Sequence, residues 1–470
     1  MMDAHAVQRD PDYGMSHITS LRETEYPYLD HRKHTYLDYT GASLPSITQV
    51  EAHHARLAST VAGNPHSVSP ASGTSTDLVD ETRRRILLFL HAAPEEYTVI
   101  FTANATAAAK LVGEAYPFDK RTRLVLTADN HNSINGLRQY ARQAGADVAY
   151  VPIADADSLR ISTSEVGQAL PKLNTPMRET CSFLRPRRRP RTGLFAYPAQ
   201  SNFSGVQHPL SWVSLAQSRG YKVLLDAAAY LPTTPLDLSR CKPDFVILSW
   251  YKVFGFPTGV GCLIARHDTL TTLERPWFSG GAVDMVTVGR EWHRMADGSQ
   301  AWEDGTLNFL AIPDVHVGLN ILVHTVGYDP LRKRLRLLTR WCIDALDSLQ
   351  HGSGHGVCRI YGPRDVEARG GTIAFNVQDV AGVLVDEYLV ARDAAANNIS
   401  IRAGCFCNPG VGETVSRASK QVLRSFAQER EKDRGGMGAV RISLGIASTV
   451  GDVETFVRFI EDTYKDRKLG

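Results

Sequence analysis

Apolar residues along this chain come in short unbroken runs that end in small or polar residues and then give way to helix-like spacing. "YTVIFTANATAAAKLVGEAY" starts with a β-rich run at Val99 to Thr102 and turns into an alanine-rich helix. "TRLVLTADNHNSINGLRQYARQAG" repeats the scheme, as do "GLFAYPAQSNFSG" and "YKVLLDAAAY", and "PDFVILSWYKVFG" supplies another buried strand. Runs that are apolar throughout, rather than at alternate positions, mark strands covered on both faces, as in a parallel sheet between helix layers. An α/β core from about residue 90 to residue 310 is predicted. The texture then changes. Residues 315 to 350 read as a long charged amphipathic helix that includes "DPLRKRLRLLTRWCIDALDSL". "GGTIAFNV", "ISIRAG" and "AVRISLG" are short strands separated by helices, the pattern of a smaller α+β unit. "SRASKQVLRSFAQEREKDRGGMG" reads as a helix running into a glycine-rich connection, and no solenoid repeat is present.

At 470 residues the chain exceeds the usual size of a single core. The expected organisation is an amino-terminal segment at 1–30, a large domain at 31–314 and a small carboxy-terminal domain at 315–470. With 43% hydrophobic and 22% charged residues the composition is that of a soluble globular protein. A formal charge of +2 argues against a nucleic-acid partner, whose phosphates call for a strong basic excess. The basic cluster from Arg185 to Arg191 is interrupted by prolines and reads as a solvated loop. The amino terminus lacks the apolar core of a secretory signal, and no later run approaches membrane-spanning length. An intracellular, cytoplasmic protein with no membrane partner is expected. Seven scattered cysteines do not form a disulfide framework, and the "CFC" pair lacks the spacing of a zinc knuckle, so no metal site is expected.

In open α/β sheets ligands gather at the carboxyl ends of the strands, so the residues ending these runs carry the chemistry. The first run leads to Ala105 and Thr106 at a strand-to-helix turn, where backbone amides and a hydroxyl suit a phosphate. The next presents His131, and the one after it presents Gln200, Ser201 and Asn202. "LLDAAAY" ends in Asp226, an acid that is costly at the end of an apolar strand unless it meets a cation. The last ends in Ser249, Tyr251 and Lys252. A phosphate seat, a planar stacking group, an amide, a carboxylate and a lysine are together the parts needed to hold pyridoxal 5'-phosphate. Burial that lowers the pKa of Lys252 would let its amine act as nucleophile and proton carrier.

"YLDYTGASL", "GNPHSVSP", "FTANATAAAKLVGEAYPF", "FAYPAQSNFSGVQHPLSW", "LLDAAAYLPTTPLDL", "SWYKVFGFPTGVG", "WEDGTLNFL", "RAGCFCNPG" and "VRISLG" follow one another in order from about residue 20 to the end. Together they closely resemble the amino-terminal domain of molybdenum cofactor sulfurases, within the class V aminotransferase, or cysteine desulfurase, group of fold type I enzymes. That resemblance implies a mainly parallel sheet sandwiched by helices, with a smaller α+β domain. It implies that Lys252 binds the cofactor aldehyde, Asp226 partners the pyridine nitrogen, His131 stacks on the ring and Asn202 faces the ring hydroxyl. Ala105, Thr106, Ser249 and Tyr251 would hold the phosphate, with Thr306 arriving from the second subunit of a homodimer. Arg441 would clamp the carboxylate of an amino-acid substrate, with Arg402 a second arginine nearby. Cys407 corresponds to the loop cysteine that takes sulfur from bound cysteine as a persulfide and passes it to an acceptor, a protein or a small molecule, while alanine is released. Cys405 is read as a neighbour.

Molybdenum cofactor sulfurases usually continue into a carboxy-terminal domain where this sequence stops, so the expectation is either a free-standing desulfurase domain or a relative working on another sulfur or amino-acid substrate in a biosynthetic pathway. Two other readings compete. One is a different reaction of the same cofactor, such as carbon–sulfur lysis of a cysteine conjugate, in which Cys407 is dispensable. The other is a catalytically silent binding scaffold.

Overall fold

The computed structural model describes residues 7, 8, 10, 13, 16–65, 67–173, 192–416 and 438–468. The basic cluster Arg185 to Arg191 and nearly all of the "SRASKQ…GMG" stretch lie outside the described residues. A two-residue strand, β1 (Thr35–Tyr36), precedes the main sheet. That sheet has seven strands: β2 (Tyr97–Thr102), β3 (Arg123–Thr127), β4 (Asp147–Val151), β5 (Gly193–Pro198), β6 (Tyr221–Asp226), β7 (Phe245–Ser249) and β8 (Gly261–Arg266), in the order β2-β8-β7-β6-β5-β3-β4. Neighbours pair in parallel except β8, which runs antiparallel to both β2 and β7. Every residue of β5 and β7 is buried, the consequence of runs that are apolar on both faces.

The reversal at β8 serves the site. Its first residue, Gly261, pairs with Thr102 on one side and Ser249 on the other, at the edge where the polar strand ends emerge. A Cβ at Gly261 would sit 2.6 Å from Asn104 Cα, so glycine lets the turn that leads into the helix Ala105–Ala115 pack down onto the sheet.

Beyond the sheet an exposed hairpin of β9 (Val283–Thr287) and β10 (Trp292–Met295) stands apart. A second sheet then combines β11 (Cys358–Tyr361), β12 (Thr372–Val377), β14 (Arg402–Gly404) and β15 (Ala439–Ser443) in the antiparallel order β11-β12-β15-β14, while β13 (Ile399–Ser400) pairs with β1. The helix predicted over 315–350 is interrupted. Asp314–Asn320 is followed by a π-type turn at Ile321–Val326, and Gly327 at φ +75° separates these from Tyr328–Ser348. Glycine adopts that left-handed conformation without the Cβ clash that periodicity alone does not register. Among the described residues no helix is long and apolar enough to cross a membrane.

Candidate active site

The carboxyl ends of β2, β3, β5, β6 and β7 converge on a cavity of about 170 Å³. Ala105, Thr106, His131, Asn202, Asp226, Ser249, Tyr251 and Lys252 all line it, with Asn104, Ser133 and Gln200 among their neighbours. Residues as far apart in sequence as Asn104 and Lys252 meet here because parallel strands release their polar ends on one edge.

Each group is held locally. Asn104 caps the helix at Ala105, its side chain accepting from Ala107 N–H at 3.0 Å. The Ala105 N–H donates to the buried Ser249 Oγ at 2.8 Å, which ties the end of β2 to the end of β7. Asp226 is buried, and its Oδ1 accepts from Ala228 N–H at 2.9 Å. His131 Nδ1 accepts the Ser133 N–H at 3.1 Å, so in the neutral ring the proton sits on Nε2. Ser133 Oγ lies 2.9 Å from the same Nδ1 and 2.7 Å from Thr106 Oγ1, linking the histidine to the helix start.

The electrostatics follow from burial. Removal from water pushes the Lys252 amine below its ordinary value; Asp226 opposes the shift and the charges of Arg441 and Arg402 add to it. Burial likewise holds His131 below its ordinary value, reinforced by Lys252 and opposed by Asp226. A lysine and a histidine whose neutral forms are favoured by burial, beside a carboxylate, make a cavity suited to accepting and returning protons.

The arginines lie next to the cavity. β14 and β15 pair Arg402 directly opposite Arg441, a like-charge juxtaposition that would be unfavourable alone. Asp38, from the segment after β1, resolves it. Arg441 Nη2 donates to Asp38 Oδ1 at 2.9 Å and Arg402 Nη2 to Asp38 Oδ2 at 2.6 Å. Arg441 is buried, also donates to Asn202 O at 2.9 Å, and leaves its Nε without a partner. Asp38 was present in a quoted motif but carried no sequence signal of its role, since its partner Arg441 lies 403 residues away.

Cys405 and Cys407 are exposed, whereas Cys262, Cys342 and Cys358 are buried and Cys241 is half-buried. Burial pushes the Cys241 thiol up to about 11 and the Cys342 thiol up to about 12, so these do not supply thiolate near neutrality. Thr306 is not among the residues lining this cavity. It is exposed and borders a separate cavity of about 300 Å³, on a segment anchored by the bidentate pair of Arg83 with Glu303 at 2.7 and 2.8 Å.

Comparison with known proteins gives a consistent picture. A model of the family described as Aminotransferase class-V matches residues 35–456. The molybdenum cofactor sulfurase of Homo sapiens is 35% identical over 97% of this chain and 53% of its own length, and that of Arabidopsis thaliana is 33% identical over 97% and 59%. The chain thus spans about half the length of the curated relatives it matches. Among solved structures, the apo cysteine desulfurase of Thermococcus onnurineus NA1 superposes with a TM-score of 0.77 at 22% identity, covering 95% of this chain and 97% of that one. It shares the fold.

Proposed function

The chain belongs to the class V aminotransferase family, whose members depend on pyridoxal 5'-phosphate, and from that premise we propose that it is a cysteine desulfurase. It takes sulfur from cysteine onto Cys407, releases alanine, and hands the sulfur to an acceptor. The observation that carries this reading is the convergence of Lys252, Asp226, His131 and the hydrogen-bonded pair Ala105 and Ser249 on one cavity.

The cavity fits the cofactor by the chemistry of its donors. Lys252 suits an aldehyde, Asp226 a pyridinium nitrogen, His131 a ring face, and the start of the helix Ala105–Ala115 with Thr106, Ser249 and Tyr251 a phosphate. When bound, the cofactor supplies a carbonyl that captures amino groups and a ring that draws electrons from them. The chain's own residues do the rest. Arg441 and Arg402 give the substrate carboxylate a positive wall, with one of their two charges already balanced by Asp38. Lys252 Nζ, its basicity lowered by burial, takes and returns the proton at the substrate's α-carbon. Cys407 Sγ, as the thiolate, forms a sulfur–sulfur bond with the substrate as its carbon–sulfur bond breaks. That leaves a persulfide on the enzyme and, after protonation, alanine.

The same reading includes a homodimer in which a partner copy brings Thr306 to the phosphate end. Trp277, Met285 and Trp292 are each about half exposed around the hairpin, and Val288 is fully so, an apolar surface suited to a second copy. A monomer in sedimentation analysis would remove this part of the reading. The six described cysteines are free thiols, which suits the cytoplasm.

The decisive experiment supplies cysteine to the purified holoenzyme and measures alanine and, with a reductant, sulfide. The wild type should form both, and Cys407→Ser should lose both while keeping the cofactor's absorbance. Pyruvate in place of alanine, or full turnover by Cys407→Ser, would move the assignment to carbon–sulfur lysis.

A further inference from the structure

The cysteine loop is held beside the cavity by hydrogen bonds to the segments that follow β3 and β5, and one buried side chain, Asn408, bonds to both segments. Phe406 and Cys407 both occupy the left-handed region, at φ +53° and +56°. For residues with a Cβ this costs about 1–2 kcal/mol each, so the conformation persists only where surrounding bonds impose it. Those bonds come from the segments that follow β3 and β5. Asn132 N–H donates to Cys407 O at 2.7 Å, and Asn202 Nδ2 donates to Phe406 O at 2.8 Å. Asn408, fully buried, closes the set: its Nδ2 donates to Asp129 O at 2.6 Å and to Asn202 Oδ1 at 3.0 Å. Its Oδ1 caps the helix Pro409–Val415 by accepting from Val411 N–H at 3.4 Å. Packing agrees with this attachment. A Cβ at Gly410 would lie 2.0 Å from Ala128 O, and the Arg441 guanidinium sits 4.7 Å above the Phe406 ring.

Resting on the assignment of Cys407 as the sulfur-accepting thiol, we infer that Asn408 is a positioning residue: its amide clasps the loop to Asp129 and Asn202 and so sets where Cys407 Sγ stands relative to the cavity. Asn202 completes the device. One N–H of its amide holds the loop, while the same side chain lines the cavity. The strand ends that present His131 and Asn202 therefore also fix the cysteine.

The clasp and the cap can be separated by substitution. Asn408→Asp keeps an oxygen for Val411 N–H, and aspartate caps helices as well as asparagine does. It places an acceptor against Asp129 O and Asn202 Oδ1 where a donor stood, so the clasp is lost. Asn408→Ser also caps but is too short to span both partners, and serves if the aspartate variant does not fold. Two measurements are made on each. In amide hydrogen exchange of residues 402–412, with and without cofactor, both variants should exchange faster than wild type. In steady-state turnover of cysteine, kcat for alanine should fall by about 10²-fold, the usual effect of misplacing a reacting group by an ångström, while KM stays within about twofold.

The inference is overturned if Asn408→Asp and Asn408→Ser match wild type in exchange and kcat while Asn408→Ala is impaired in both, since Asn408 would then only cap the helix. A wild-type enzyme that forms no alanine would sink the desulfurase assignment instead. In that event the exchange data still decide the clasp, because faster loop exchange in the aspartate variant upholds it and unchanged exchange refutes it.

Discussion

The strand ends of the large sheet and the loop from Cys405 to Asn408 bring reactive groups to one place by opposite means. At the strand ends, position is set by regular backbone: Ser249 and Asp226 close strands buried on both faces, and main-chain N–H groups fix their oxygens. The loop has no ladder. Its two thiols are exposed, two consecutive residues are left-handed, and side-chain amides hold it in place. The difference matches the tasks assigned to each. A cofactor seat gains from rigidity, because prepositioned charges cost no reorganisation during reaction. A group that collects sulfur and passes it on has to reach two destinations, which favours a mount held by few bonds.

The largest effect separates the two regions. Lys252→Ala should reduce cysteine turnover by at least about 10³-fold, within the contribution of a positioned proton-transfer group, and abolish the borohydride-trapped adduct on the chain. Loop exchange in the apoprotein should stay at the wild-type level. Equal turnover by this variant would exclude Lys252 as the group that moves the proton, and altered loop exchange would show that the regions are not separable.

Asp38 joins the regions, since Arg441 packs on Phe406 and β14, which carries Arg402, leads directly into Cys405. Asp38→Ala leaves a buried Arg441 opposite Arg402 with no counter-charge. Removing one partner of a buried pair costs about 3–5 kcal/mol; the half exposure of Arg402 puts the expected loss near the lower end, about 3 kcal/mol by urea denaturation. Asp38→Asn should recover part of it. A loss under about 0.5 kcal/mol would mean that the pair is solvated and that the loop and the seat are mechanically independent.

How much of this could be read from the letters depends on the range of each interaction. Buried parallel strands write themselves as continuous apolar runs, so His131, Asn202, Asp226, Ser249 and Lys252 were found at the run ends, and all line one cavity. The interruption at Gly327 was missed because a left-handed residue leaves the flanking leucine spacing intact. The reversal of β8 depends on left-handed glycines at 255 and 259, which read only as a loop. Asp38 and Asn408 were beyond reach for another reason. Their partners lie 403 and 279 residues away, and a single aspartate or an asparagine before proline looks like ordinary turn chemistry.

The finest test concerns protons at the rigid seat. His131 has a folded-state pKa below its ordinary value of 6.5, chiefly through burial, with Lys252 and Arg441 adding to the effect and Asp226 opposing it. Between the lowered value and 6.5 the unfolded chain therefore binds more protons at this residue than the folded one. Stability of the apoprotein should rise with pH across that window, and this contribution should be flat above it. The neighbouring Lys252, also shifted downward by burial, adds a rise of the same sign between its own lowered value and 10.5, and this contribution is shared by the wild type and the variant. His131→Asn removes the titration yet retains an acceptor for the Ser133 N–H, because asparagine is itself a favoured cap. Subtracting the variant's unfolding free energy from the wild type's, from urea titrations at closely spaced pH, should leave a difference that changes with pH only below about 6.5, in favour of the variant in acid. A difference independent of pH would show that the imidazole is solvated, and the seat would then share the openness of the cysteine loop.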